Sequence, residues 1–142
     1  MEVKPLTIEY INEDFLETLS SLKPTGLTVE EARIHFETNI SSSIFVALID
    51  NKVVGTAAIV FEKKFIHRGG IIAHIEDVAV RKGYQGQGIG LAILSHLIEV
   101  AQQHGCYKVI LDCKPELENF YGKLGFKKTA EVNLRLDFVP HN

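Results

Sequence analysis

Four glycines, at positions 83, 86, 88 and 90, stand between the apolar run Ile71–Val80 and a helical pattern carrying Leu91, Leu94, Leu97, Ile98 and Ala101. Strand, glycine turn and helix in that order predict a sheet with a helix packed on it. A further strand after the helix closes a right-handed parallel unit. The turn also implies a chemistry. Glycine lets the backbone approach a ligand closely, and the first amides of the next helix lack helical partners and carry partial positive charge. Together they suit a phosphate or pyrophosphate. Spacing then excludes two ligand classes. From Gly86 and Gly88, a dinucleotide turn G-x-G-x-x-G needs glycine at position 91, which is Leu91. A P-loop starting at Gly83 needs lysine after Gly88, and Ile89 follows instead. The bland alternative is a turn that merely links strand to helix.

The rest of the chain supplies the other elements. Alternation in Leu6-Thr7-Ile8-Glu9-Tyr10 predicts a first strand. Asn12 or Asp14 caps a helix through Phe15, Leu16, Leu19 and Leu22, which Lys23-Pro24-Thr25-Gly26 breaks. Thr28 starts a second helix with Glu31 in a capping box and an apolar stripe of Ala32, Phe36 and Ile40. Residues 44–49 and 53–61 read as strands joined by a turn at Asp50-Asn51-Lys52. A basic loop, 63–70, leads to the strand Ile71–Val80. After the glycine turn and its helix, which Gly105 ends, residues 107–113 read as a strand. Pro115 opens a short helix with Leu117, Phe120, Tyr121 and Leu124, ended by Gly125, and residues 132–138 form a last strand. The order β-α-α-β-β-β-α-β-α-β predicts an α/β (α+β) fold, a mixed central sheet flanked by helices, in one domain over 1–142.

Composition excludes several classes. The 15 basic and 18 acidic residues leave a net charge of −3, far from the basic face of a general nucleic-acid binder. No stretch reaches the roughly 20 apolar residues of a membrane span, and the N-terminal residues do not read as a signal peptide. Cys106 and Cys113 are seven positions apart, about 23 Å on one extended strand, so they are not expected to bridge each other. They read as small buried hydrophobes in a reducing, cytoplasmic setting; no metal site is expected.

What the turn does match is Gln/Arg-x-x-Gly-x-Gly/Ala, as Gln85-Gly86-Gln87-Gly88-Ile89-Gly90. On this motif and on the element order over essentially all 142 residues, the chain resembles the GNAT family of N-acetyltransferases. The resemblance implies acetyl-CoA as cosubstrate. It implies that Gln85, Gly86, Gln87, Gly88, Ile89 and Gly90 hold the pyrophosphate and that Val78, Ala79 and Val80 pair with the pantetheine arm, with Tyr121 and Lys123 also contacting the donor. It further implies that this strand is splayed from its parallel neighbour, with the thioester in the gap.

Three segments resemble one branch of the family, the glucosamine 6-phosphate N-acetyltransferases. They are Lys64-Phe65-Ile66-His67; Ile75-Glu76-Asp77-Val78-Ala79-Val80 leading into Tyr84-Gln85-Gly86-Gln87-Gly88; and 105–113 followed by Phe120-Tyr121 and Gly125-Phe126. That branch implies an amino-sugar phosphate acceptor on the route to UDP-GlcNAc, and a homodimer whose C-terminal strand contributes Arg135 to the partner's site. Lys64, His67, Tyr107 and Lys108 are then substrate contacts, with Arg68 a weaker one. Glu76, Asp77 and Asp112 contact the sugar, Glu76 and Asp112 with catalytic roles near the amine, and Tyr121 protonates the departing thiolate. Neighbouring strand residues point to opposite faces, so Glu76 and Asp77 share a ligand only at a bulge, which the family carries. Two positions depart from the branch pattern: Leu117 stands where an asparagine is usual, with Asn119 out of register, and Lys23 where a substrate-contacting threonine is usual.

Simpler roles compete for each residue: surface charge for the basic side chains, core packing for Tyr121, a cap or ion pair for the carboxylates. Other functions compete for the whole, namely an acetyltransferase acting on another small amine or a non-catalytic acyl-CoA sensor. Cys113 is the nearest candidate nucleophile, and no histidine is placed to activate it, so direct transfer is the expectation.

Overall fold

The structure, a computed structural model, describes residues 1–38 and 42–139. Ile40 of the expected second-helix stripe lies outside the described residues. The chain divides into two compact units, 1–111 and 112–142.

The first unit is a five-stranded sheet in the order β1-β2-β3-β4-β5. Its strands are β1 (Glu2–Pro5), β2 (Ser43–Ile49), β3 (Lys52–Lys63), β4 (Ile71–Val80) and β5 (Cys106–Ile110). The first four pair antiparallel, and β5 lies parallel to β4. The first strand forms earlier than its alternation predicts, and Ile8–Tyr10 is a 3₁₀ turn instead. Both expected caps form. Asn12 accepts from the Phe15 amide at 3.1 Å and opens α1 (Glu13–Ser20). Before α2 (Val29–Thr38), Thr28 and Glu31 exchange bonds of 2.9 and 3.1 Å. Those bonds hold the Glu31 carboxyl below its usual range. The β2–β3 turn places Asp50 and Asn51 at φ 51° and 62°, the left-handed pair of a type I′ hairpin.

Helices cover both faces of this sheet. On one face Phe15, Leu16 and Ala32 of α1 and α2 bury against Val46, Leu48 and Val53. Thr18 bonds the carbonyl of Val53 at 3.3 Å. On the other, α4 (Ile89–Gln103) packs over β2 to β5 and buries Ile93, Leu94 and Leu97. Ile89 and Ile93 close on Gly55 of β3. Its neighbour Thr56 turns toward α1 and α2 and lines a cavity there, as alternation requires. A sheet covered twice explains why β2 and β3 read as near-continuous apolar runs.

The second unit holds a 3₁₀ turn, Pro115–Leu117, and the helix α5 (Glu118–Gly122). The last predicted strand is not formed. Residues 132–137 take no regular structure and Phe138 lies in a bend; a strand is held by its neighbour, and no described strand pairs with this segment. Val132, Leu134, Leu136 and Phe138 are therefore 77, 88, 78 and 91% exposed. The cysteines also differ from expectation: Cys113 is exposed and Cys106 only partly buried, both as free thiols. Burial pushes the Cys106 thiol up from its ordinary pKa. No described helix is long and apolar enough to cross a membrane.

Ile93 is fully buried, so Ile93→Ala is expected to cost about 2–5 kcal/mol. Urea unfolding checks this, with the midpoint lowered and the slope unchanged.

Candidate active site

The parallel pairing of β4 with β5 is short. It runs from Ile71 opposite Cys106 to His74 opposite Ile110. β4 then continues through Ile75–Val80, paired to β3 alone among the described residues. Its other edge has no strand partner among the described residues, and such an edge templates an extended chain. The expected parallel pair is present, and it ends where β5 itself ends, at Ile110.

A bulge lies midway along that free edge. Thr56 pairs with Ala79 and Ala58 with Glu76, so Asp77 and Val78 together oppose Ala57. Asp77 has φ 53°, a left-handed conformation uncommon for residues other than glycine and typical of constrained functional positions. The extra residue breaks alternation, and both Glu76 and Asp77 are exposed. This removes the objection that adjacent side chains cannot serve one ligand. Asp77 also lines a cavity of about 250 Å³ under α1 and α2, walled by Leu16, Leu27, Phe36 and Ile44. Thr25 joins that wall, two positions beyond the Lys23 that stands where a threonine is usual.

At the end of β4 the chain enters the glycine turn. Gly88 caps α4 with φ 79°, a value that L side chains rarely adopt. A β-carbon at Gly83, Gly86 or Gly88 would meet nothing within 4 Å, so this surface is open to a ligand. Gln85 bonds back to the Val80 carbonyl at 3.4 Å. The first amides of the 15-residue α4 face the turn without helical partners. An open polar edge that runs into an amide-lined turn fits a pantetheine-pyrophosphate chain. Among the described residues, no three His, Cys, Asp or Glu side chains gather as a metal site.

One basic-loop candidate, His67, meets two candidates on β5, Tyr107 and Lys108. His67 stacks on Tyr107 with centroids 4.0 Å apart, and Lys108 Nζ lies 5.8 Å from the centre of the Tyr107 ring. Tyr107 is free to do this because β5 has its own irregularity: Ile71 pairs with Cys106 and Ile72 with Lys108. The stack holds the single turn α3 (Ile66–Gly69), where His67 and Arg68 have φ 53° and 58°. Gly70 permits the contact, since a β-carbon there would sit 2.6 Å from the Tyr107 ring. Lys64 is turned to Glu62, 3.4 Å away, whose other oxygen bonds His74 at 3.0 Å. His74 and then Lys64 hold the Glu62 carboxyl below its usual range. Sequence reasoning missed Glu62 and His74. They meet only because the β3–β4 register sets them diagonally on one face.

The other candidates lie in the second unit. Asp112 is exposed and accepts from Asn133 at 2.8 Å. Tyr121 is buried, edge-on to Phe120 and Phe126 at 5.1 and 6.0 Å. Lys123 is exposed. Arg135 pairs with Asp137 at 2.9 Å. Burial, and to a lesser extent the Cys113 thiol, raise the Tyr121 hydroxyl above its usual pKa of 10.0. It is therefore a hydroxyl that keeps its proton.

A profile of the Acetyltransferase (GNAT) family matches residues 8–126. A rice protein named Glucosamine 6-phosphate N-acetyltransferase 1 is 36% identical over 140 residues, covering 93% of this chain and 85% of its own. A Candida albicans protein named Glucosamine 6-phosphate N-acetyltransferase is 40% identical over 125 residues, covering 84% and 83%. The crystal structure of glucosamine-6-phosphate N-acetyltransferase from Arabidopsis thaliana superposes with a TM-score of 0.89 at 32% identity, covering 97% of this chain and 98% of that one.

A raised Tyr121 pKa favours the folded state below pH 10, and this contribution is lost as pH rises through the folded value. In an alkaline absorbance titration of the four tyrosines, Tyr121→Phe is expected to remove the component that ionises last.

Proposed function

Because the chain belongs to the Acetyltransferase (GNAT) family, we propose that it transfers acetyl from acetyl-CoA to the amine of D-glucosamine 6-phosphate. The product is N-acetyl-D-glucosamine 6-phosphate, on the route to UDP-GlcNAc. The observation that carries the donor half is the free edge of Ile75–Val80 running into the open glycine turn. The acceptor half rests on relatives of that name that match most of the chain.

In this reading the amides of 85–90 hold the pyrophosphate, and the backbone of Val78, Ala79 and Val80 pairs with the pantetheine arm, with Lys123 as a further donor contact. The donor supplies an activated thioester. The chain's residues do the rest. A neutral amine attacks as the C–N bond forms and the C–S bond breaks. Glu76 and Asp112 orient that amine and receive its proton, directly or through water, and Asp77 holds the sugar beside the bulge. Tyr121, with its pKa raised, donates a proton to the departing thiolate. A strand amide near Val78 holds the carbonyl oxygen as charge develops on it.

The cations Lys64, His67, Lys108 and Arg135 serve the phosphate, with Tyr107 carrying His67. An arginine offers phosphate two parallel bonds. Transfer is direct in a ternary complex, with Cys113 not acylated. We place the enzyme in the cytoplasm, a setting consistent with two free thiols.

The working form in this proposal is a homodimer. Val132, Leu134, Leu136 and Phe138 alternate in sequence along an exposed segment, the pattern of a strand that lacks its sheet. Paired with a second subunit, the segment buries that row and brings Arg135 to the partner's site.

The decisive measurement is thiol release from acetyl-CoA with a panel of amines. Glucosamine 6-phosphate is expected to be turned over well ahead of glucosamine, and equal rates on the two sinks the phosphate pocket. Tyr121→Phe is expected to lower kcat by about 10²- to 10⁴-fold, with the donor KM little changed. For the assembly, sedimentation velocity of Leu134→Asp/Phe138→Asp is expected to show a species of half the wild-type mass. A monomeric wild-type protein with full activity rules the shared site out.

A further inference from the structure

Arg81 stands at the junction between β4 and the glycine turn, and its side chain and backbone both bond to other elements of the fold. Its guanidinium reaches across to α1, with Nη1 2.6 Å from Asp14 and Nη2 3.3 Å from Glu17. Those two carboxylates are three positions apart in the helix and so share one face. The Arg81 side chain is 18% exposed. Its amide donates to Val54 of β3 at 2.8 Å, and its carbonyl accepts from the Tyr84 amide at 2.9 Å, closing the first bend of the glycine turn. One residue thus ties three things together: the end of the sheet, the first helix, and the start of the segment 83–90.

We infer that Arg81 is a positioning residue for the donor site, fixing through Asp14 and Glu17 where the glycine turn stands against β4. This rests on the reading of 85–90 as the pyrophosphate loop. The inference differs from the more obvious role for an arginine beside such a loop. A direct phosphate ligand has its guanidinium free to meet the anion. Here the guanidinium is engaged by two carboxylates, so its charge is already matched within the protein. What it contributes is geometry. Donor binding uses backbone amides, which have no side-chain freedom to correct a displaced turn.

The geometry also links the two halves of the molecule's chemistry. α1 supplies Phe15, Leu16 and Leu19 to the wall of the cavity that Asp77 lines. The same helix holds Arg81. The two ionic hydrogen bonds are thus the direct contacts between this helix and the residue that opens the donor turn.

The charge-neutralising pair Asp14→Asn/Glu17→Gln separates the possibilities, with Arg81→Ala and Arg81→Lys beside it. Isothermal calorimetry with acetyl-CoA gives donor affinity, and amide hydrogen exchange reports on 83–90 without any ligand. If Arg81 positions the turn, the double variant binds acetyl-CoA about tenfold more weakly, the order of one charge-assisted hydrogen bond, and exchanges faster at 83–90. Its KM for the amine and its kcat at saturating donor stay near wild type. Arg81→Lys retains part of the affinity by keeping the contact to Asp14. Unchanged or tighter donor binding in the double variant overturns the inference, since freeing Arg81 would then leave it available as a direct anion ligand. Should Arg81→Ala unfold, the double variant still decides, because Glu17 is largely exposed and Asn at position 14 keeps a polar side chain. A wild-type protein that binds no acetyl-CoA refutes the pyrophosphate reading instead, and the exchange rates at 83–90 alone then test the clamp.

Discussion

The early end of pairing between β4 and β5 is the constraint on which the rest of the site depends. Four residues of β4 are paired on both edges, and the six that follow have one edge free. No described strand pairs with that edge, and backbone groups in a folded protein find water or another partner. The bulge at Asp77 sits on this same stretch. One strand therefore combines a backbone binding edge, a pair of exposed carboxylates brought out of alternation, and the entry to the glycine turn. No separate element has to be aligned for the three to act on one molecule.

The sheet can afford that open edge because the rest of it is heavily secured. β2 and β3 are buried on both faces, and α4 presses isoleucines onto a glycine of β3. The basic loop is secured differently, by a ring stack. Two left-handed residues in succession, His67 and Arg68, are costly, and the Tyr107 ring seated over Gly70 holds them in place. Local strain and its restraint both lie outside the core.

Most of this architecture was legible in the sequence. The caps at Asn12 and Thr28, the hairpin at Asp50-Asn51, and the strand–turn–helix unit all follow from short-range chemistry, and all form. The bulge was implied by resemblance to the GNAT family; a pattern of apolar residues does not contain it, because it depends on which residue of one strand opposes which of the next. The same limit explains why Glu62 and His74 escaped notice, since they lie twelve residues apart and meet only through register. Arg81 escaped because its partners are in α1, more than sixty residues earlier. The last strand failed for another reason. Its alternation is genuine, but alternation states only that one face is apolar; it does not state where the covering surface comes from.

Arg135 carries a consequence of its own. Both edges of its contact with Asp137 are made, at 2.9 and 3.1 Å. The contact uses Nε and one Nη, so Asp137 claims one fork of the planar guanidinium and leaves the fork between the two Nη atoms to another partner. The carboxylate thus orients the plane of the arginine and keeps its second pair of parallel donors pointing one way.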